Sequence, residues 1–332
     1  MSVKKWIYDQ AERKSALPLL FFPSASLLGV SVNEIITDAS LSAKGLVGLA
    51  EKFDMPAIMR MTELWPEAEA FGAKVDIKKD TFPKILGPVV SCDEDIEALR
   101  IPDVCAGHTG TLVESLRKTV ELAPSKPVFV GVSGPFSLSG VLMNLTEMMM
   151  NCYSNPELSH ILLEKVTQFL TDYCTECKSA GAAGVILADP STTMLSPEFM
   201  DKFSNSYIKR IIDSVKEDDF AVIYHNCGNV TQHLEAISNL GADGYHFGEP
   251  VDMAKALQIF PEDTVVMGNI PSAMFDRGSA EKIEKAVASL FEKCGQAPNF
   301  IISSGCEIPP VKSLGNIEAF FNAVEKSKCG VL

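Results

Sequence analysis

The sequence predicts an α/β protein folded as a (β/α)8 barrel, on three observations. Eight short apolar, β-branched runs alternate with longer segments of helical period along the 332 residues. No Pro-, Gly- or Ser-rich linker interrupts the alternation, so a single barrel domain is expected over 1–332, with an N-terminal helix and an insertion near 65–105. Side chains able to bind metal fall at the carboxyl ends of several runs, where such barrels keep their chemistry. A doubly wound open sheet is the competing topology. It loses its usual support, because no Gly-x-Gly-x-x-Gly follows the first run and no P-loop occurs.

Residues 2–14 read as an amphipathic helix carrying Trp6 and Ile7. The first strand is 17–23, with a helix at 33–53 after it. The second strand, 56–61, ends in Thr62-Glu63. From 65 to 90 the pattern is less regular, with strand-like pieces at 74–77 and 85–90, and 109–122 is helical. Strand three, 128–132, leads through Ser133-Gly134-Pro135 into a helix near 137–151. A long helix, 156–180, stops at Gly181 as a C′ glycine would. Strand four, 184–188, ends in Asp189-Pro190, and a helix spans 197–216. Strand five starts at Phe220 and breaks at Gly228; Asn229 with Gln232 reads as the capping pair of a helix at 230–240. Strand six, 243–247, ends in Gly248-Glu249-Pro250 before a helix at 251–259. Strand seven is 264–268, ending in Asn269, with a helix at 279–294. Strand eight, 299–303, ends in Gly305-Cys306-Glu307, and a helix at 313–327 completes the pattern.

A formal net charge of −14 argues against nucleic acid as a partner, since phosphate contacts need a basic stripe. No uninterrupted apolar window of about 18 residues exists, so no membrane span is expected. The start, Met1-Ser2-Val3-Lys4-Lys5-Trp6, is not followed by the apolar core of a secretory signal, and a cytoplasmic location is expected. The nine cysteines then read as reduced thiols, their count odd and their spacing irregular. Cys174-x-x-Cys177 lies in a segment of helical period and reads as a pair of buried helix cysteines.

Tyr224-His225-Asn226-Cys227-Gly228-Asn229 closes strand five. Residues two apart in a strand share a face, so the His225 imidazole and the Cys227 thiol stand side by side, and both are preferred zinc ligands. Alone, such a pair is more often ordinary core. In a closed barrel, however, the ends of strands five, six and eight meet on one rim, which adds Glu249 and Cys306. Core packing does not by itself set three borderline or soft ligands and a carboxylate at the same end of three strands. His225, Cys227, Cys306 and Glu249 are therefore candidate metal ligands. Zn²⁺ with two thiolates and a neutral imidazole is neutral and keeps a fourth place. A thiol entering that place ionises, although it otherwise titrates near pH ~8.5. If Glu249 holds the place at rest, exchange leaves the charge unchanged and frees a carboxylate to take the thiol proton. Glu249 is thus a candidate catalytic residue. Asp189 is the other: it orients a ligand or substrate, or simply shapes the turn before Pro190.

These motifs resemble a known family. His225-x-Cys227-Gly228-Asn229, Gly268-Asn269 and Gly305-Cys306-x-Ile308-Pro309-Pro310 are similar to the corresponding motifs of the methylcobalamin:coenzyme M methyltransferases, members of the uroporphyrinogen decarboxylase superfamily. Gly134-Pro135-Phe136, Ala188-Asp189-Pro190 and Asn316-Ile317-Glu318-Ala319 extend the resemblance over 50–325. It implies a (β/α)8 barrel of uroporphyrinogen decarboxylase-like fold that carries zinc. The implied activity moves a methyl group from methylcobalamin, a corrinoid held by a separate protein, to a small thiol such as coenzyme M or homocysteine. It implies zinc on His225, Cys227 and Cys306, with Glu249 as the exchangeable ligand. No Asp-x-His-x-x-Gly corrinoid-anchoring pattern occurs, since Asp243-Gly244-Tyr245-His246 has the wrong spacing. The methyl donor is therefore expected on a corrinoid protein, or as free methylcobalamin.

The decarboxylases proper need no metal and hold tetrapyrrole carboxylates with an Arg-rich segment after the first strand. Here that segment, Pro23-Ser24-Ala25-Ser26-Leu27-Leu28-Gly29, contains no Arg, and a polyanion needs paired cations. Decarboxylation and a non-catalytic corrinoid- or zinc-binding barrel are the alternative readings. A sulfonate on the acceptor also needs a cation, for which Arg60 at the end of strand two is the candidate. Strand alternation sets His246 off the face of Glu249, so it is not counted among the ligands. His233 reads as a helix histidine, and His108 and His160 have no partners in the pattern. Met143, Met148, Met149 and Met150 read first as helix packing and second as a surface for an irregular apolar partner such as a corrinoid.

Overall fold

Period-two alternation decides which side chains line the barrel and which meet the helices. The computed structural model describes residues 2–61, 64–78 and 82–330. After β1 (Ile58–Arg60), β2 (Val75–Asp76) and β3 (Lys84–Ile85) make a separate antiparallel pair within the insertion. The other strands are β4 (Val128–Ser133), β5 (Gly184–Ala188), β6 (Ala221–Asn226), β7 (Gly244–Phe247), β8 (Val265–Ile270) and β9 (Phe300–Ser304). They join β1 in one seven-stranded sheet, ordered β1-β4-β5-β6-β7-β8-β9, with every pair parallel. The stretch 16–20 supplies the eighth place. Ala16 bridges Ile302 of β9 in parallel, Leu17 N donates to Ile302 O at 3.0 Å, and Leu20 N donates to Met59 O of β1 at 3.1 Å. The ring is closed as the α/β barrel reading requires.

Met59, Phe129, Ile186, Ala188, Ala221, Ile223, Val265, Met267 and Ile301 form the apolar interior together with Leu17 and Leu19. Ile7 and Ala11 of the helix Val3–Glu12 belong to the same cluster, and Trp6 lies 6.1 Å from the Phe129 ring at the start of β4. That helix therefore plugs the amino-terminal mouth. The alternate residues, among them Val185, Leu187, Val222, Tyr224, Tyr245, Phe247, Val266 and Phe300, pack outward against the helices. Burial on both faces is why the strands read as continuous apolar runs. Each large side chain so buried contributes about 1.5–3 kcal/mol. Towards the carboxyl ends the inward series changes character: Ile223 is followed by His225, Gly244 by His246 and Ile301 by Ser303, all buried. A polar layer thus sits on an apolar plug.

Several helices differ from expectation for local reasons. The predicted helix at 33–53 is two, Val32–Thr37 and Ala39–Lys52, because the Asp38 carboxylate accepts from Ser40 N and Leu41 N and starts the second. The one near 137–151 breaks at Asn144, where φ is 92°, into Pro135–Met143 and Leu145–Ser154. That at 197–216 contains a single π turn, Asp201–Asn205. The helix at 230–240 shrinks to Leu234–Ser238: Asn229 does not cap it but accepts from Thr231 N and Thr231 Oγ in a turn of its own. The first strand is shorter than 17–23, since the chain turns into the helix Ser24–Leu28. Within the insertion, the helices Trp65–Ala70 and Asp93–Ala98 carried no strong period. Thr62-Glu63, the predicted end of strand two, lie outside the described residues. Cys174 and Cys177 are buried on the helix Pro156–Ser179. No helix among the described residues is long and apolar enough to cross a membrane.

Candidate metal centre

His225 ends the inward series Ala221, Ile223, His225 on β6, and Cys227 follows one residue beyond the strand. Cys306 arrives from the other side of the ring, just past β9. The three converge: one ligand atom from each lies within 4.8 Å of the others, and Cys306 Sγ is 3.8 Å from His225 Nε2. Both cysteines are partly exposed, whereas His225 is buried, so the cluster opens to solvent on its sulfur side. The Cys306 S–H favours the Cys227 thiolate and lowers its pKa against the opposing effect of burial. Cys306, the donor, is pushed well above the ordinary thiol value by the same bond and by burial. Two sulfurs and an imidazole at this spacing fit a zinc ion.

The approach of β7 holds Cys227 in place. A Cβ at Gly248 would lie 2.3 Å from Cys227 O and 2.6 Å from its Cα, so only glycine lets the two backbones meet. Asn269 Nδ2 donates to Gly248 O at 2.9 Å and Val251 O at 2.7 Å, pinning the same turn from β8. Gly248→Ala is expected to cost about 1–3 kcal/mol of stability in denaturant titrations, as overpacking does.

The other predicted residues are placed differently. Asp189 is fully buried: Oδ1 accepts from Ser137 N at 2.6 Å and Oδ2 from Ser204 Oγ at 2.7 Å. Burial pushes its pKa up, against the pull of these bonds. Its carbonyl accepts from Asn226 Nδ2 at 2.8 Å, beside His225. Asp189 is bonded within the protein and braces the ends of β5 and β6. Glu249 is exposed and borders a surface cleft with Asp252, Asn269, Lys293 and Cys294; it is outside the three-residue group. Its main chain nevertheless abuts Gly305, beside Cys306. Arg60 is buried, lies 3.8 Å over the Phe21 ring and donates to Ser42 Oγ at 3.0 Å. Of the methionines, Met143 and Met148 are buried and Met150 is exposed.

Two residues near the centre carried no motif. His246 pairs in register with His225 across β6 and β7, so both rings enter the barrel. Glu307, next to Cys306, accepts from Phe21 N at 2.6 Å through Oε1 and from Met61 N at 3.1 Å through Oε2. It ties the end of β9 to the ends of the 16–20 stretch and of β1. Burial raises its carboxyl to about 7, the backbone bonds and Arg60 opposing.

Fold and site together define a (β/α)8 barrel with a cluster of two cysteines and a histidine at the carboxyl-terminal rim. The chain belongs to the uroporphyrinogen decarboxylase (URO-D) family, whose pattern it matches over residues 23–327. It is 26% identical over 302 residues to the methylcobamide:CoM methyltransferase MtbA of Methanosarcina acetivorans, covering 88% of this chain and 87% of that one. It is 24% identical over 305 residues to the uroporphyrinogen decarboxylase of Psychromonas ingrahamii, covering 87% and 84%. Among solved structures, a methyltransferase from Methanosarcina mazei superposes with a TM-score of 0.85 at 20% identity, over 98% of this chain and 99% of that one. A B12-independent methionine synthase from Shewanella superposes at 0.59 with 13% identity, over 90% and 89%. These superpositions establish the fold. The sequence relatives include methyltransferases and decarboxylases alike.

Proposed function

We propose that the protein is a zinc-dependent methyltransferase. It transfers a methyl group from a corrinoid carried by a separate protein to a small thiol, with coenzyme M and homocysteine as the first acceptors to test. The observation that carries the reading is the convergence of His225, Cys227 and Cys306 within 4.8 Å. These three would hold the ion, with Glu249 as the exchangeable fourth ligand. Bound zinc lowers the pKa of a thiol so that thiolate is available at neutral pH. The chain does the remaining work. The apolar layer beneath His225 closes the barrel to water from below. Exposed at the rim, Glu249 can take the thiol proton and pass it to solvent. Kinship with the methylcobamide:CoM methyltransferase supports the reading. Decarboxylases are related too, but residues 23–29, where an arginine clamp would stand, contain none and form a short helix. The same reading places the protein in the cytoplasm.

Metal analysis of the purified protein tests it, together with the absorbance of methylcobalamin on adding each thiol. One zinc per chain and thiol-dependent demethylation are expected. Absence of bound zinc, or demethylation indifferent to thiol, would refute the proposal.

A further inference from the structure

We infer that His246 is a positioning residue for this centre: with Ser303 it holds the His225 ring in the tautomer whose bare Nε2 faces the cysteines. The inference follows from hydrogen-bond bookkeeping along a buried chain. Leu17 O, a carbonyl, can only accept, and Ser303 Oγ lies 2.7 Å from it, so the serine hydroxyl spends its proton there. Ser303 Oγ then has only lone pairs to offer His246 Nε2 at 2.8 Å, and Nε2 must carry a hydrogen. The His246 ring is fully buried with its centre 4.8 Å from a second imidazole, an environment with no counter-charge in which the neutral ring is favoured. A neutral ring with Nε2–H has a bare Nδ1. His246 Nδ1 is 2.8 Å from His225 Nδ1, so the His225 nitrogen is the donor. His225 Nε2 is left as a lone pair, 3.8 Å from Cys306 Sγ. A main-chain carbonyl on the eighth strand thereby sets the state of a ring on β6, through one hydroxyl and one imidazole.

Nothing in this chain of bonds requires a metal, so the tautomer stands apart from the methyltransferase reading; only its consequence for zinc rests on that reading. Metal-binding histidines commonly donate their second nitrogen to a fixed acceptor, and loss of such acceptors weakens metal binding about 10–100-fold. Here the acceptor is a second histidine rather than a carboxylate, which adds no negative charge to the site.

The chain has five histidines, so ¹⁵N labelling of histidine alone gives a readable spectrum. In metal-free wild type, long-range proton–nitrogen correlations should show His225 protonated at Nδ1 and His246 at Nε2. His225 protonated at Nε2, or His246 at Nδ1, overturns the inference without any variant. For its consequence, zinc affinity is measured by chelator competition on His246→Leu, His246→Asn and Ser303→Ala, with melting of each metal-free protein as the folding control. His246→Leu should lose about 10–100-fold. His246→Asn, which keeps an acceptor near the position of Nδ1, should recover part of that loss. Ser303→Ala should fall between wild type and His246→Leu. Affinities within twofold of wild type in folded His246→Leu overturn the positioning role. If wild type itself binds no zinc while the tautomers are as stated, the proposed function fails and the bond network stands.

Discussion

Cys306→Ser is expected to weaken zinc binding by about 10²–10³-fold, since the free energy of a four-ligand site, about 10–16 kcal/mol, divides among its ligands. Serine keeps the shape but does not ionise near neutral pH, so the site loses a thiolate as well as a contact. Cys306 is partly exposed and outside the apolar clusters, so the metal-free variant should melt within about 1 kcal/mol of wild type. Cys306→Ala has a second signature that needs no metal: Cys227 owes its lowered pKa first to the Cys306 S–H, and without that donor its alkylation should demand a higher pH than in wild type. Chelator competition and the pH profile of alkylation by iodoacetamide check the two halves. Glu249→Gln, at an exposed residue outside the three-residue group and only an exchangeable ligand, should cost less than Cys306→Ser, about tenfold. Equal zinc affinities for wild type and Cys306→Ser would remove Cys306 from the ligand set.

The centre was legible because barrel closure brings every strand end to one rim, and strand periodicity says which residues share a face there. His225 and Cys227, two apart, needed only the alternation rule; Cys306 needed the ring. His246 lies outside the three-residue group, as strand alternation implies, but its contact with His225 follows only from the β6–β7 register, in which the two are partners. Parallel neighbours in register point the same way, so two histidines at one inward level were bound to meet. Register between strands is set by packing of the whole ring and is not written in either strand alone. Asp189 shows the opposite limit. Its position at the end of β5 matched a catalytic carboxylate, but its partners, Ser137 N and Ser204 Oγ, come from distant segments. Both helix breaks carry a recognisable cap: Asp38 accepts from Ser40 N and Leu41 N, and Asn144 accepts from Thr146 N at a φ of 92°.

Glu307 yields the second large effect, a stability that changes with pH. Its folded-state pKa is about 7 against an ordinary 4.5, so between those values the folded chain holds a proton that the unfolded chain has released. The unfolded state binds fewer protons in this window, and stability falls as pH rises through it. The contribution is complete below pH 4.5 and is lost by the time pH passes 7, a total of about 3 kcal/mol. Glu307→Gln cannot titrate. Urea unfolding of the metal-free proteins at intervals from pH 4.5 to 8 should therefore show wild type losing about 3 kcal/mol relative to Glu307→Gln, whatever their offset at the acid end. Taking the difference between the two proteins cancels the titration of Asp189 and Asp243, whose pKa values burial also raises. Parallel curves would mean that the bonds from Phe21 N and Met61 N keep the carboxylate ionised and that it costs nothing to hold there. The expected loss relative to Glu307→Gln would mean that the segment joining Cys306 to the first strand carries the cost of a buried carboxylate at neutral pH.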